Sequence, residues 1–207
     1  MRTTLPTHLL GGLSVLSQLS TASPVARDNT LPETAITLSP GKGLPSLSEL
    51  GLTASDLLRP DFAAQHATPP SSAGSWATAK RGAGAQGFFP HCYKGNTANV
   101  GGAMTCKNYL NSLNQDCLVT NQKPWEYLCN VTVNGSPTYI RGQPLSGVDS
   151  VRIPCSDVAR GMDWILDLCS PQGCTGNDCP VGGVNAAWRN GNFVLEIIGN
   201  PEILKSD

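Results

Sequence analysis

Three side chains in the part of the chain that follows residue 90 could together carry out acid–base chemistry on a phosphodiester. A secreted ribonuclease needs a base, an acid and a cation that binds the phosphate, and His91, Glu126 and Arg152 offer these groups. The strand pattern predicts Glu126 and Arg152 on the outward face of adjacent strands. The same positions suit a solvated cross-strand ion pair and a loop histidine. We favour this second interpretation and expect that the protein is not an enzyme, with a secreted hydrolase or ribonuclease as the alternative.

The cysteines indicate disulfide chemistry. The first 91 residues contain none, and all eight lie between positions 92 and 179. An even number of cysteines in a small, nearly neutral domain is typical of a protein that folds in an oxidising compartment. We predict that all of them form disulfides, with the pairing left open: Cys92, Cys106, Cys117, Cys129, Cys155, Cys169, Cys174 and Cys179.

A metal site is the alternative interpretation of the last three cysteines. Cys169, Cys174 and Cys179 could be thiolate ligands, but no second closely spaced pair and no histidine cluster accompanies them in the sequence. An even count leaves no free thiol as a nucleophile, and the serine-hydrolase pattern Gly-x-Ser-x-Gly does not occur. We therefore expect neither a metal nor a cofactor.

Two asparagines and one tryptophan are candidates for surface chemistry. Asn130 and Asn134 each begin an N-glycosylation sequon, Asn-Val-Thr and Asn-Gly-Ser respectively. Trp188 lies beside a predicted hairpin turn and is a candidate contact residue for a partner. Trp125 and Trp164 fall on or beside predicted core stripes, so core packing is the expected role for both.

Charge and hydropathy argue against two classes of function. The 207 residues carry 14 Lys+Arg and 15 Asp+Glu, a formal net charge of -1. Residues 82–207 carry 8 Lys+Arg and 10 Asp+Glu, a net of -2. This balance lacks the basic surface of a nucleic-acid-binding protein, and it disfavours a membrane-active antimicrobial toxin, which stays a weaker alternative. No run approaches the roughly 18 apolar residues that span a bilayer, so we expect no transmembrane segment.

Residues 1–22 have the pattern of a secretory signal peptide. Arg2 supplies a positive start, a short apolar stretch follows over residues 9–19, and small residues end the segment at Ser20-Thr21-Ala22. We therefore expect a secreted, extracellular protein.

Residues 23–81 form a predicted pro-segment, rich in Ser, Pro, Thr and Ala, and largely disordered. Ser46 and Glu49 stand in capping-box register at the start of one short helix, and a second short turn opens at residues 53–56. The dibasic pair Lys80-Arg81 ends the segment and is accessible to a processing protease. We expect the segment to shield the domain or assist its folding, and then to be removed after Arg81.

Residues 82–207 form the predicted cysteine-rich domain. Apolar residues at helical spacing predict helices over residues 103–113 and 157–169, the second capped by Ser156. Residues 125–133 alternate as a strand with its odd-numbered side chains on the core. Further extended segments cover residues 88–93, 138–141, 148–153, 184–189 and 192–198, with Asn134-Gly135 and Asn190-Gly191 as hairpin turns.

This order predicts an α+β two-layer sandwich. Two helices pack on one face of a four-stranded, mostly antiparallel sheet that disulfides stabilise. Cys129 points into the core from its strand, while Cys106 and Cys169 lie on the inward stripes of the two helices. We therefore predict at least one disulfide that joins helix to sheet through Cys129.

The layout of residues 82–207 resembles the small cysteine-rich effectors that fungi secrete, and the virally encoded killer toxins of smut fungi. The features that carry this resemblance are Lys80-Arg81, Met104-Thr105-Cys106, residues 151–156, residues 162–169 and Gly182-Gly183. It transfers no functional residue. It implies a secreted, proteolytically processed effector or toxin-like protein that binds an extracellular protein or glycan of a host or competitor.

Overall fold

The structure is a computed structural model, and it describes residues 35–59, 61–62, 65 and 89–202. The predicted signal peptide and the pair Lys80-Arg81 lie outside these residues. The helices and strands, in chain order, are β1 (Ile36–Pro40), α1 (Ala54–Leu57), β2 (His91–Cys92), β3 (Ala98–Asn99), α2 (Val100–Ser112), β4 (Asp116–Thr120), β5 (Glu126–Val133), β6 (Ser136–Pro144), β7 (Ser150–Pro154), α3 (Cys155–Leu168), β8 (Pro180–Val181), β9 (Gly183–Ala187) and β10 (Asn190–Ile198).

The main sheet has six strands in the order β1-β5-β6-β10-β9-β2, and every pairing is antiparallel. Two separate ribbons pair β3 with β8 and β4 with β7. The α+β class and the mostly antiparallel sheet are confirmed. The four-strand count is wrong, because β1 and β2 extend the sheet at its two edges and the strand at residues 150–154 pairs outside it.

Helices α2 and α3 pack against one face of the sheet. Asn99 caps α2, and its side-chain oxygen accepts a hydrogen bond from the Gly102 amide at 2.6 Å. The N-cap of α3 is Pro154 and makes no side-chain bond, so the predicted cap at Ser156 is wrong. A Cβ atom on Gly161 would lie 2.5 Å from the Leu195 side chain, so glycine allows α3 to approach β10 closely.

A single core lies between these helices and the sheet. Tyr109 and Leu110 of α2, Met162 and Ile165 of α3, and alternate residues of β5, β6 and β10 are fully buried there. Burial of this apolar surface is the main favourable contribution to folding.

Strand β5 changes face at a bulge between Tyr127 and Cys129. Cys129, Val131 and Val133 point into the core as predicted. The extra residue at the bulge reverses the alternation, so the odd-numbered side chain before it points to the other face. Tyr127 is 45% exposed and pairs with Arg141 on the face opposite the helices. The predicted core position of Tyr127 is therefore wrong.

Local sequence predicted the position of the first hairpin turn correctly, but not that of the second. Asn134 and Gly135 have φ angles of 51° and 80° and connect β5 to β6, which confirms the first turn. The second turn is instead formed by Trp188 and Arg189, since Asn190 already pairs with Ala187. Arg189 adopts a φ of 60°, so a non-glycine residue takes the left-handed conformation there.

Four disulfides include all eight cysteines. Cys106–Cys129 joins α2 to β5, as predicted. Cys117–Cys155 joins β4 to the start of α3, and Cys92–Cys169 joins β2 to the end of α3. Cys174–Cys179 closes a short loop in the exposed segment before β8.

The β1–α1 segment (residues 35–59) belongs to the sequence predicted as a pro-segment, and it forms part of this fold. Its strand pairs with β5 along five residues, and Leu57 of α1 is fully buried in the core. The capping box predicted at Ser46 is present, and the predicted turn at Thr53 forms a second one: the amides of Glu49 and Asp56 donate to the hydroxyl oxygens of Ser46 and Thr53, both at 3.3 Å.

Candidate functional site

A cleft of about 410 Å³ opens beside the start of β5. One wall is the turn after β1, residues 42–44. The other walls are β4, the connection from β4 to β5, and Arg152 of β7. The cleft therefore lies where the β1–α1 segment meets the β4–β7 ribbon and the edge of the main sheet.

Three exposed cations line the cleft: Lys42, Lys123 and Arg152. None of them forms an ion pair or a hydrogen bond with another described residue. Two acids share the lining, Asp116 and Glu126. The cleft thus carries one more formal positive charge than negative, in a chain whose formal net charge is -1.

Glu126 is fixed in place by the residue that ends β4. One oxygen of its carboxylate accepts hydrogen bonds from the Thr120 amide at 3.0 Å and the Thr120 hydroxyl at 2.6 Å. These bonds hold the carboxylate against the wall of the cleft. The three cations have no such partner among the described residues and are available to a ligand.

Apolar side chains lie beside the cations. Leu118 is 42% exposed and faces Arg152 across the β4–β7 ribbon, and the half-exposed Tyr127 lies next to Glu126. The rings of Tyr127 and Tyr139 are tilted against each other with centroids 5.7 Å apart. Of these residues, Arg152 and Tyr127 belong to the types that are enriched at protein interfaces.

The structure separates the three residues considered for catalysis. Glu126 and Arg152 both line the cleft, but they form no ion pair. His91 lies on β2 at the opposite edge of the sheet, four strand spacings from β5, or about 19 Å at the usual interstrand distance. The imidazole packs edge-on against Tyr93 and cannot act with Glu126 on one substrate atom.

A buried polar network that the sequence analysis missed lies on the sheet face opposite the helices. Glu196 of β10 is 1% exposed, and its two carboxylate oxygens accept hydrogen bonds from the Tyr93 hydroxyl and from the guanidinium of Arg141. Arg141 lies beneath Trp125, with its guanidinium carbon 4.7 Å from the ring centroid. Burial and the adjacent carboxylate raise the pKa of Tyr93 well above its usual range.

One sequence signal could have revealed this network. Glu196 interrupts an apolar run between Leu195 and Ile197, and a carboxylate in a buried strand requires a partner. The partner could not be chosen in advance, because Arg141 is 55 residues away in the chain.

The predicted glycosylation sites differ in exposure. Asn134 is exposed in the β5–β6 turn. Asn130 is half-buried within β5, where its neighbours are Ser39 of β1 and Tyr139 of β6. The Asn134 site leaves more room for a glycan.

The tryptophans have three different environments. Trp164 of α3 packs against the core. Trp125 packs over Arg141 on the opposite face, so its predicted position on the core stripe is wrong. Trp188 is half-buried in the β9–β10 turn, and its amide donates to the Asp157 carbonyl oxygen at 3.0 Å.

The described residues contain no group of three His, Cys, Asp or Glu side chains that could hold a metal ion. Cys169 and Cys174 are in different disulfides, so the alternative thiolate site has no free ligand. Among the helices described, none is both long and apolar enough to cross a membrane.

Residues 90–199 match the model of a family described as a domain of unknown function (DUF8794). The matched region covers 110 of the 207 residues, from just before β2 to just after β10. It includes the cysteines, β4 and β5, and it stops short of the β1–α1 segment. No curated protein and no solved structure matches the chain.

Proposed function

The chain belongs to the DUF8794 family, and we propose that it is a secreted effector or toxin-like protein that acts by binding an extracellular partner through the cleft. The observation that carries this proposal is the set of three cations without ion-pair partners among the described residues, beside the half-exposed Leu118 and Tyr127. Exposed cations without a partner can form ion pairs with an acidic ligand without breaking an existing one.

The composition of the cleft favours an acidic partner. A ligand with carboxylate, sulfate or phosphate groups would form charge-assisted hydrogen bonds with the lysines and the arginine. Its apolar part would pack on Leu118 and Tyr127. An acidic protein segment or an acidic glycan of a host or competitor has this chemistry.

Secretion and processing complete the proposal. The signal-like residues 1–22 direct the chain to an oxidising compartment, where four disulfides are stable. A processing protease then cuts after Arg81, and a glycan is attached in the exposed turn at Asn134. Mass spectrometry of the secreted, non-reduced protein measures the cut, the glycan and the disulfides together.

Replacing Lys123 with alanine should weaken binding of a labelled poly-aspartate peptide by about tenfold at low salt, because one charge-assisted contact is lost. Fluorescence anisotropy against the full chain measures the affinity. Lys94→Ala is the matched control, since Lys94 is equally exposed but lies beside β2 at the far edge of the sheet. Equal affinities of the two variants would contradict the assignment of the cleft.

A secreted hydrolase or ribonuclease remains the second candidate, because Glu126 and Arg152 lie in the same cleft. Under this alternative the purified protein cleaves a single-stranded RNA, and Glu126→Gln abolishes the activity while Glu202→Gln, on the surface, leaves it unchanged. Absence of RNA cleavage by the unaltered protein would eliminate the ribonuclease form of this candidate.

A further inference from the structure

We infer that the β1–α1 segment stays bound after cleavage at Lys80-Arg81, so that the processed protein is a non-covalent two-chain particle in which this segment completes the cleft. The inference rests on the proposed processing, and it replaces the expectation that the segment leaves. The contacts of the segment with the rest of the fold support it.

The segment supplies an edge strand of the main sheet. Its pairing with β5 runs from Ile36 opposite Val133 to Pro40 opposite Cys129. The Gly41 amide then donates to the Leu128 carbonyl oxygen at 2.9 Å. A Cβ atom on Gly41 would lie 2.1 Å from the Tyr127 carbonyl oxygen, so the two backbones approach closely enough to require glycine. Loss of β1 would leave the backbone of β5 as an open edge.

The segment also fills part of the core. Leu57 is completely buried, and six partly buried side chains of the same segment pack against the core: Ile36, Leu38, Leu44, Leu47, Leu50 and Leu52. Departure of the segment would expose these leucines and the apolar surface that they cover, which opposes dissociation.

Two buried side chains of α2 depend on backbone carbonyl groups of the segment. The Asn108 side-chain amide donates to the Leu57 carbonyl oxygen, and the Tyr109 hydroxyl donates to the Pro45 carbonyl oxygen, each at 2.7 Å. Asn108 is 5% exposed and Tyr109 is completely buried. Without the segment both donors would bond to water instead, and the net free energy of the two intramolecular bonds would be lost, which favours retention of the segment.

The attachment is entirely non-covalent. No cysteine precedes Cys92, and the four disulfides lie within residues 92–179. A cut after Arg81 therefore produces two chains that separate under denaturing conditions even without a reductant.

The segment completes the cleft rather than covering it. Lys42, Gly43 and Leu44 form one wall, and the other walls belong to the cysteine-rich domain. A bound segment therefore maintains the binding site after processing. Its dissociation would remove one of the three cations and reduce the affinity for an acidic ligand.

The test cuts the full chain at one site and measures whether the two fragments stay associated. A site-specific protease sequence replaces residues 78–83, so that the cut does not depend on the natural dibasic site. We expect the nicked protein to elute as one species in native gel filtration at micromolar concentration, and to give two masses in urea without reductant. Elution of a free N-terminal peptide, with residues 82–207 still folded by circular dichroism, would overturn the inference.

Two variants distinguish weaker retention of the segment from a general loss of stability. In the nicked protein, Leu57→Ala should weaken retention of the segment by at least about 30-fold, because the substitution leaves a cavity in the core. Ser55→Ala, at an exposed position of the same helix, should leave retention unchanged. The uncut Leu57→Ala protein must retain its circular dichroism spectrum. If retention is the same for both variants, Leu57 does not anchor the segment and the inference fails.

Processing is checked separately on the natural chain. If the secreted protein is never cut at Lys80-Arg81, the proposed processing is wrong, although the nicked variant still reports whether the segment binds. If the cut occurs and the segment leaves, processing stands and this inference fails.

Discussion

Replacing Glu196 with glutamine should lower the free energy of unfolding by about 3–5 kcal/mol. The glutamine side chain can still accept a bond from Tyr93, but it carries no charge to balance Arg141. Arg141 is only 7% exposed, so its guanidinium would remain buried without a counter-charge. Urea unfolding followed by tryptophan fluorescence measures the loss, and it also reports on Trp125 directly above the pair.

Two further variants test whether the loss of stability comes from the unpaired charge of Arg141. Glu202→Gln changes the same chemical group at an exposed position after β10 and should shift stability by less than about 0.5 kcal/mol. The double variant Arg141→Met/Glu196→Met removes both charges and should be more stable than Glu196→Gln alone, since no unpaired charge remains. If Glu196→Gln is as stable as Glu202→Gln, the buried ion pair does not hold the two strands.

Removing the disulfide between Cys106 and Cys129 should have the second large effect. The bond closes a sequence separation of 23 residues, and both cysteines are completely buried between α2 and β5. The loss of cross-linking in the unfolded chain predicts a cost of about 3 kcal/mol for the double alanine variant. Small cavities at the two sulfur positions add to this cost.

The matched control is the disulfide between Cys174 and Cys179. It closes a separation of only 5 residues in an exposed loop, and its removal should cost about 2 kcal/mol or less. Both double variants are compared with the unaltered protein by urea unfolding without reductant. A larger loss for the Cys174–Cys179 variant would contradict the view that the helix-to-sheet bond is the stronger restraint.

The Cys106–Cys129 disulfide and the Arg141–Glu196 pair lie on opposite faces of the main sheet. The disulfide fastens β5 to α2 on the core side, and the Arg141–Glu196 pair joins β6 to β10 on the other side. The cleft lies at the start of β5, where Tyr127 pairs with Arg141 and Leu128 precedes Cys129. A rigid sheet keeps Tyr127 and Glu126 in place while the turn at residues 42–44 closes the site from the other side.

Local patterns in the sequence were sufficient for several elements. Apolar spacing predicted α2 and α3 within a few residues, and Asn134-Gly135 predicted the first hairpin because few residue pairs adopt its φ angles readily. The capping motifs at Ser46 and Thr53 were visible for the same reason: each bond joins residues only three apart. The inward direction of Cys129 and Cys106 also followed from periodicity, and it predicted their disulfide.

Two strands, β1 and β4, were not predicted from the sequence. Residues 36–39 alternate apolar and polar side chains and form a strand, whereas residues 116–119 form a strand without this alternation, because the exposed Leu118 is apolar. The first lies in a stretch rich in Ser, Thr and Pro that is typical of a linker, so β1 was assigned to a largely disordered segment. The second was not identified as a strand at all.

The remaining features were decided by tertiary structure, because they join residues far apart in the chain. Ile36 pairs with Val133 across 97 positions, and no short-range pattern specifies that partner. Arg141 meets Glu196 across 55 positions, and the cleft brings Lys42 together with Lys123 and Arg152 from three separate elements. Local patterns alone predicted a cysteine-rich α+β protein with a mostly antiparallel sheet and a helix-to-sheet disulfide, while α1 adds a third helix to the two predicted ones. Only the packed sheet, in which distant strands become neighbours by burying a common core, decided that residues 35–59 belong to the fold and that three cations share one cleft.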